Sequence, residues 1–201
     1  MKAYKTIYII TCNGVALNYL ELKFIITGRI VQLSSGAGPM FVRQCDDRIK
    51  FLMSNKADVT WEEIENEVVQ PILKIAEDTN LSKEDKGQAL AKKGLGSYAD
   101  WLIYGMTKAC VSTYTFSLSE KFPKIIMNSC SPGYIETDLT KPSSGKKPDG
   151  MLSVEQGTIS PIHLLMGKME GSGKYYGSDT KRSPMHKARN PGEPEYDGSY
   201  P

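Results

Sequence analysis

The chain has 201 residues, 40% of them hydrophobic, which is enough to bury the core of one domain. A formal net charge of +2 argues neither for nor against a polyanionic partner, but no run of like charges is long enough for a nucleic-acid arm, so we expect no nucleic-acid partner. Four scattered cysteines with two histidines argue against a zinc site. Asn13, Asn18, Glu21 and Lys23 interrupt the apolar stretches near the start, so we expect neither a signal peptide nor a membrane span. The cysteine usage fits a reducing compartment and predicts a cytoplasmic location.

The first predicted elements are two short strands. The run from Lys5 to Thr11 is apolar and β-branched, which is typical of a buried parallel strand, and a turn ending at Gly14 follows it. The run from Gly28 to Leu33 is a second strand, which ends in the hydroxyls of Ser34 and Ser35.

A long insertion, from about residue 43 to residue 93, follows the second strand. Thr60 and Glu63 have the spacing of a capping box, which predicts a helix beginning there. Pro71 should kink or restart this helix. Three apolar side chains would share its inner face: Trp61, Ile64 and Val68.

Tyr104 and Lys108 form the most informative pair in the chain. They lie early in a predicted helix that runs to about Leu118, and residues four apart share one helix face, with about 5–6 Å between their Cβ atoms. An ammonium near a phenol favours the phenolate, so the tyrosine becomes a better acid that can protonate a carbonyl oxygen as a hydride arrives at the carbon. Tyr19 and Lys23 have the same spacing without flanking strands, and we interpret that match as accidental.

Three further elements complete the chain. A buried strand beginning at Ile125 ends in a Pro132-Gly133 turn, and a later stretch, Lys174 to Gly177, predicts a last strand. Between them, a helix from Ser153 to Met166 is expected to have this inner face: Ile159, Ile162, Leu165 and Met166. Residues 183–201 are rich in Pro and Gly and are expected to form a loosely ordered tail.

The order strand–Ser-Ser, Tyr-x-x-x-Lys, strand–Pro-Gly-x-x-x-Thr resembles the short-chain dehydrogenase/reductase superfamily, in particular its carbonyl reductase branch. The resemblance implies an α/β fold over residues 1–182, with a Rossmann-like parallel sheet, flanking helices and the helical insertion at 43–93. A complete family member has a glycine-rich turn after its first strand, where this chain has only Gly14. Part of the N-terminal dinucleotide-binding half would then be missing, by truncation or internal deletion. Alternatively, the segment from Lys5 to Gly14 is a central strand of the same sheet, and on either interpretation we expect much of the dinucleotide-binding half to be absent before Asn18.

The resemblance also implies roles for individual residues. Ser35 matches the catalytic serine, Tyr104 the catalytic acid, and Lys108 the lysine that assists it and binds the nicotinamide ribose; Tyr104 and Lys108 thus also count as cofactor-binding residues. Asn18 matches the structural asparagine of the family tetrad. The turn that holds the nicotinamide carboxamide and a nearby phosphate matches four positions: Pro132, Gly133, Ile135 and Thr137.

The implied activity is reduction of a small-molecule ketone or aldehyde to an alcohol. The resemblance favours NADPH as the cofactor, and the residues leave NADH open. In monomeric carbonyl reductases an insertion at this place covers the helix face that other members use to dimerise, which implies a monomer. One alternative is a catalytically impaired fragment or pseudo-enzyme that lacks a working cofactor cradle. A sugar-nucleotide epimerase or dehydratase uses a similar Tyr/Lys pair but normally needs a larger C-terminal domain.

Overall fold

The computed structural model describes residues 7–11, 28–54, 58–138, 140 and 149–200, and for residues 7–11 it describes the backbone alone. Within these ranges, five strands form one sheet in chain order: β1 (Ile7–Thr11), β2 (Gly28–Leu33), β3 (Ile125–Cys130), β4 (Lys174–Tyr176) and β5 (Arg182–Ser183). The strands β1 to β4 are parallel, and β5 pairs antiparallel with β4. The strand predicted from Lys5 to Thr11 is confirmed at Ile7–Thr11, whereas Gly14 and Asn18 lie outside the described residues.

Between β2 and the next strand the chain forms a series of helices: α1 (Ala37–Val42), α2 (Asp47–Ser54), α3 (Trp61–Ile64), a π-helical turn (Glu65–Val69), α4 (Gln70–Glu77), α5 (Lys83–Lys92) and α6 (Leu102–Lys121). One more helix, α7 (Val154–Met166), lies between β3 and β4.

The helices α6 and α7 cover opposite faces of the sheet, as strand alternation requires. On one face, Ile30 and Met127 pack with Leu118 of α6. On the other, Val31 and Cys130 pack with α7 through a cluster that includes Leu164. The predicted α/β class, a mainly parallel open sheet with flanking helices, is therefore confirmed.

The capped helix of the insertion begins where its sequence predicts. Thr60 caps α3 by accepting a hydrogen bond from the Glu63 amide at 3.2 Å, and the Glu63 carboxylate accepts one from the Thr60 amide at 2.9 Å. Pro71 cannot donate the amide hydrogen bond that a continuous α-helix needs. The helix changes to π-helical geometry immediately before it, and α4 starts at Gln70.

The insertion packs against α6, the helix that carries Tyr104 and Lys108. Ile64 and Val68 are fully buried in one cluster with Met106 of α6. Trp61 is 44% exposed and places its ring edge against Tyr114 of α6, with 5.9 Å between ring centroids. The predicted inner face is therefore buried for Ile64 and Val68 and half-exposed for Trp61.

The inner face predicted for α7 is wrong at three of its four positions. Ile159, Ile162 and Met166 are 54%, 51% and 68% exposed. The buried residues are Gly157, Ser160, Pro161 and Leu164. Small residues allow the helix to approach closely: a Cβ on Gly157 would lie 2.0 Å from the Ile135 Cδ1 atom, and the Ser160 hydroxyl donates to the Gly177 carbonyl at 2.9 Å.

The tail is more regular than its composition predicts. Met185 and His186 are buried, and the His186 ring meets the edges of Tyr196 and Tyr200. Polar contacts within the tail, and an ion pair from Arg189 to Asp179 in the loop before it, hold the Pro/Gly-rich backbone in place.

Candidate active site

Two predicted site segments meet at one edge of the sheet. Leu33 is in register with Cys130, so the residues after β2 and β3 emerge side by side. The Ser34 amide donates to the Cys130 carbonyl at 2.8 Å and closes this edge. The segments Ser34-Ser35 and Pro132-Gly133 therefore flank the crevice beyond the carboxyl ends of the strands, where sheets of this type bind ligands.

Tyr104 and Lys108 lie one turn apart on α6 and face the end of β2. The Lys108 Nζ atom lies 5.8 Å from the centroid of the Tyr104 ring and donates a hydrogen bond to the Leu33 carbonyl at 3.0 Å. The Tyr104 side chain is half-exposed, whereas Lys108 is half-buried. The pair thus presents a solvent-accessible phenol next to a fixed ammonium.

A chain of buried hydroxyls holds Lys108 by its backbone as well. Ser129 donates to Ser112 at 3.1 Å, Ser112 donates to Ser34 at 2.9 Å, and Ser34 donates to the Lys108 carbonyl at 2.9 Å. All three serines are buried. Because the Lys108 ammonium is bound by Leu33, one residue before Ser34, β2 fixes both ends of this lysine.

The members of this hydroxyl chain are not among the predicted site residues, although the sequence contains a signal for them. Ser112 lies four residues after Lys108 and therefore on the same helix face. A serine on the sheet-facing side of a helix needs a partner, and Ser34 and Ser129 at the ends of neighbouring strands supply it.

Ser35 lies at the turn between β2 and α1. Its hydroxyl accepts a hydrogen bond from the Ala37 amide at 3.2 Å, which leaves the hydroxyl proton for donation to another group. Glycines bring α1 close to α6 at this point. A Cβ on Gly38 would lie 3.1 Å from the Ala109 amide nitrogen, and one on Gly105 would lie 3.0 Å from the Ala37 carbonyl oxygen.

The Pro132-Gly133 turn has little free space behind it. Gly133 has a φ of +98°, which favours glycine, and its amide donates to the Ser131 hydroxyl at 3.3 Å. Ile135 forms an isolated bridge with Leu152 and packs against Gly157. The Thr137 amide donates to the Thr140 hydroxyl at 2.9 Å. The four predicted turn residues thus form one ordered segment beside the Ser35 turn.

Two ionisable groups beneath the site stay neutral. Burial raises the pKa of the Tyr175 phenol, which is hydrogen-bonded with Ser131. Burial also raises the pKa of the Cys130 thiol to about 12. Neither group therefore adds a charge next to the turn at neutral pH.

Across the described ranges, no group of three or more His, Cys, Asp or Glu side chains could hold a metal ion. In the same part of the chain, no helix is long and apolar enough to cross a membrane.

The chain is similar in sequence to several reductases, although no protein-family model matches it. It is 29% identical over 156 residues to short-chain dehydrogenase/reductase 1 from Saponaria officinalis, which covers 77% of this chain and 45% of that protein. It is also 29% identical over 156 residues to carbonyl reductase (NADPH) 1 from Macaca fascicularis, with 74% and 48% covered. The chain thus spans about half the length of the curated relatives it matches.

The fold is similar to that of salutaridine reductase from Papaver somniferum, with a TM-score of 0.54 at 23% identity over 78% of this chain and 47% of that one. Sequence similarity, fold similarity and the order of the three motifs agree. The chain is thus similar, in sequence and in fold, to members of the short-chain dehydrogenase/reductase superfamily.

Proposed function

We propose that the chain is an NADPH-dependent oxidoreductase that reduces a small-molecule ketone or aldehyde to an alcohol. The observation that carries this proposal is the position of Tyr104 and Lys108 on one turn of α6, with the Lys108 ammonium bonded to Leu33 beside the Ser34-Ser35 turn. The similarity to a carbonyl reductase whose name specifies NADPH supports both the reaction and the cofactor.

The residues at this edge fit the nicotinamide end of a dinucleotide. An ammonium has three N–H donors, and the Leu33 carbonyl takes one of those of Lys108, which leaves two for ribose hydroxyls. By resemblance, the backbone of the Pro132-Gly133 turn, with Gly133 in its left-handed conformation, would hold the carboxamide, and Ile135 and Thr137 continue that turn. When bound, the cofactor supplies the hydride.

The protein's own groups act on the carbonyl oxygen. Ser35 donates a hydrogen bond that orients this oxygen, and Tyr104 transfers its phenolic proton to it as negative charge develops there. Lys108 stabilises the phenolate that remains on Tyr104. General acid catalysis of this type contributes about 10²–10⁴-fold to the rate.

We further propose that the protein is a cytoplasmic monomer. The free thiols of Cys45, Cys110 and Cys130 are buried, which fits a reducing compartment. Packing of the insertion on α6, including a hydrogen bond from Thr113 to the Met53 carbonyl at 2.8 Å, supports the covering role inferred for this segment.

A second candidate is a catalytically impaired member of the superfamily. The stretch from Thr11 to Gly14 has a single glycine where a glycine-rich pyrophosphate turn is expected, and this favours weak cofactor binding. On this account NADPH binds about ten- to a hundredfold more weakly than to a complete member, or about 1.4–2.8 kcal/mol.

Two assays on the same preparation separate these candidates. NADPH consumption with a panel of aldehydes and ketones should show turnover that Lys108→Met abolishes, while the variant keeps the far-UV spectrum of the folded chain. Titration of nicotinamide fluorescence measures the affinity independently. Weak NADPH binding without turnover supports the impaired form, and turnover that survives Lys108→Met contradicts the proposed site.

A further inference from the structure

A buried ion pair connects the C-terminal tail to the loop after β4. The two terminal nitrogens of the Arg189 guanidinium donate to the Asp179 carboxylate, with Nη1–Oδ1 at 3.1 Å and Nη2–Oδ2 at 2.5 Å. Their side chains are only 5% and 19% exposed. Paired, bidentate contacts of this type are among the strongest hydrogen bonds in proteins and fix orientation as well as distance.

The remaining polar atoms of this pair are bound to the tail and to the loop. Arg189 also donates to the carbonyls of Pro194 and Glu193, each at 2.9 Å, and the Asp179 carboxylate accepts from the Gly192 amide at 3.0 Å. Burial opposes ionisation of Asp179, but the hydrogen bonds from Arg189 and from backbone amides outweigh it and lower its pKa to about 2. The pair therefore stays charged at any pH used for an assay.

The loop that receives this ion pair is in a constrained conformation. Thr180 has a φ of +63°, which is rare for a β-branched residue and costs free energy unless the surroundings enforce it. A Cβ on Gly177 would lie 2.8 Å from the Asp179 Oδ1 atom and 3.1 Å from the Arg189 Nη1 atom. The ion pair thus fills the concave side of the loop.

The other side of the same loop lies against the proposed nicotinamide turn. A Cβ on Gly133 would be 3.2 Å from the Cβ of Ser178 and 2.6 Å from the Leu152 Cδ1 atom, so Gly133 lies between these two side chains. Ser178 immediately precedes Asp179 in the chain. A shift of Asp179 would therefore move the side chain that supports Gly133 from behind.

We propose that Asp179 and Arg189 are positioning residues for the cofactor, in that they hold Ser178 against Gly133 and so fix the Pro132-Gly133 turn. This role rests on the proposed function, since the turn is the proposed site of the carboxamide. The tail is then a part of the site that acts through the loop and touches neither substrate nor cofactor. Loss of the ion pair should weaken cofactor binding more than it slows the chemical step at saturating cofactor.

The test compares Arg189→Met with Arg29→Met. Arg29 is a matched control because it also binds backbone carbonyls, those of Leu164 and Leu165, each at 3.2 Å, but it lies near the start of β2, at the opposite end of the strands from the Pro132-Gly133 turn. Hydrogen exchange in the cofactor-free chain should show the Gly133 and Glu136 amides exchanging about tenfold faster in Arg189→Met and unchanged in Arg29→Met. The isosteric Asp179→Asn provides the same test if Arg189→Met does not fold.

Cofactor binding gives the second measurement. The dissociation constant for NADPH should rise about tenfold in Arg189→Met, with turnover at saturating NADPH within about twofold of the unaltered chain. Arg189→Lys keeps the charge without the bidentate geometry and should give an intermediate affinity.

Unchanged exchange at Gly133 and Glu136 in folded Arg189→Met and Asp179→Asn, or an equal increase in Arg29→Met, would overturn the positioning role. Failure of the unaltered chain to bind NADPH would instead contradict the proposed function, and the exchange measurement would still decide whether the ion pair holds the turn.

Discussion

The helices α6 and α7 pack on opposite faces of one sheet but are buried to very different extents. The large apolar side chains of α7 point outward at Ile159, Ile162 and Met166. The helix α6 is buried on several sides. Its own buried residues are mostly small: Leu102, Gly105, Met106, Ala109, Cys110, Ser112, Thr113, Thr115, Ser117 and Ser119. The difference arises because α6 lies between the sheet and the insertion, whereas the described residues cover α7 only on its sheet side.

The helix α6, which carries Tyr104 and Lys108, is held by hydrogen bonds on two sides. Ser112 bonds to Ser34 on the sheet side, while Thr113 and Ser117 donate to the carbonyls of Met53 and Val59 in or beside the insertion. Hydrogen bonds on both sides restrict sliding and rotation of α6 more than apolar contacts alone would. The positions of Tyr104 and Lys108 are therefore fixed by two layers of the protein.

Removing the part of the insertion that packs on α6 should have the largest effect on the protein. Deletion of residues 58–78 removes α3, the π-helical turn and α4, and exposes one side of α6. We expect the unaltered chain to be monomeric and the deletion variant to self-associate, as measured by light scattering over a range of concentrations. As a control, Ile159→Ser with Ile162→Ser should not suppress this association, because those residues lie on α7. A deletion variant that stays monomeric would rule out the covering role.

A charge introduced on each of the two helices should destabilise the fold to very different extents. Ala109 is fully buried on α6, so Ala109→Asp should lower the free energy of unfolding by about 4 kcal/mol or more. Ile162 on α7 is 51% exposed, so Ile162→Asp should change the free energy of unfolding by about 0.5 kcal/mol or less. Urea denaturation measures both values. Similar losses in the two variants would show that α7 is covered as fully as α6.

A smaller effect is expected from loss of one hydroxyl. Ser112→Ala removes the central member of the Ser129–Ser112–Ser34 chain. It should lower the free energy of unfolding by about 1–3 kcal/mol, because the buried hydroxyls of Ser129 and Ser34 each lose a hydrogen bond. The control is Thr158→Ala on α7, whose exposed hydroxyl donates to the Glu155 carbonyl at 2.8 Å and should contribute about 0.5 kcal/mol or less. Equal stability of the two variants would contradict a stabilising role for the buried chain.

The same contrast shows which parts of the fold could be predicted from the sequence. The strands at β1, β2 and β3 and the capped start of α3 have strong local signals, because continuous β-branched runs and a capping box depend on neighbouring residues alone. The motif order at Ser35, Tyr104 and Pro132 marked these segments as candidates for one site, and their roles stay predictions.

The buried face of α7 and the hydrogen bonds between distant residues were harder to predict. On α7 the apolar pattern favours Ile159 and Ile162 as the inner face, but close packing of Gly157 and Ser160 decides the orientation instead. The hydroxyl chain through Ser34 and the ion pair between Asp179 and Arg189 join residues that are distant in sequence or lie in a Pro/Gly-rich tail, so no local pattern marks them.

We propose that Tyr104 on α6 is the acid that protonates the carbonyl oxygen. NADPH-dependent turnover in Tyr104→Phe tests this role most directly. The substitution keeps the ring and removes only the phenolic oxygen of a half-exposed side chain, so the stability of the fold should be retained. Tyr19→Phe is the matched control, since Tyr19 has the same spacing to a lysine. The account predicts that Tyr104→Phe loses nearly all turnover while Tyr19→Phe keeps it. Turnover close to that of the unaltered chain in Tyr104→Phe would contradict it.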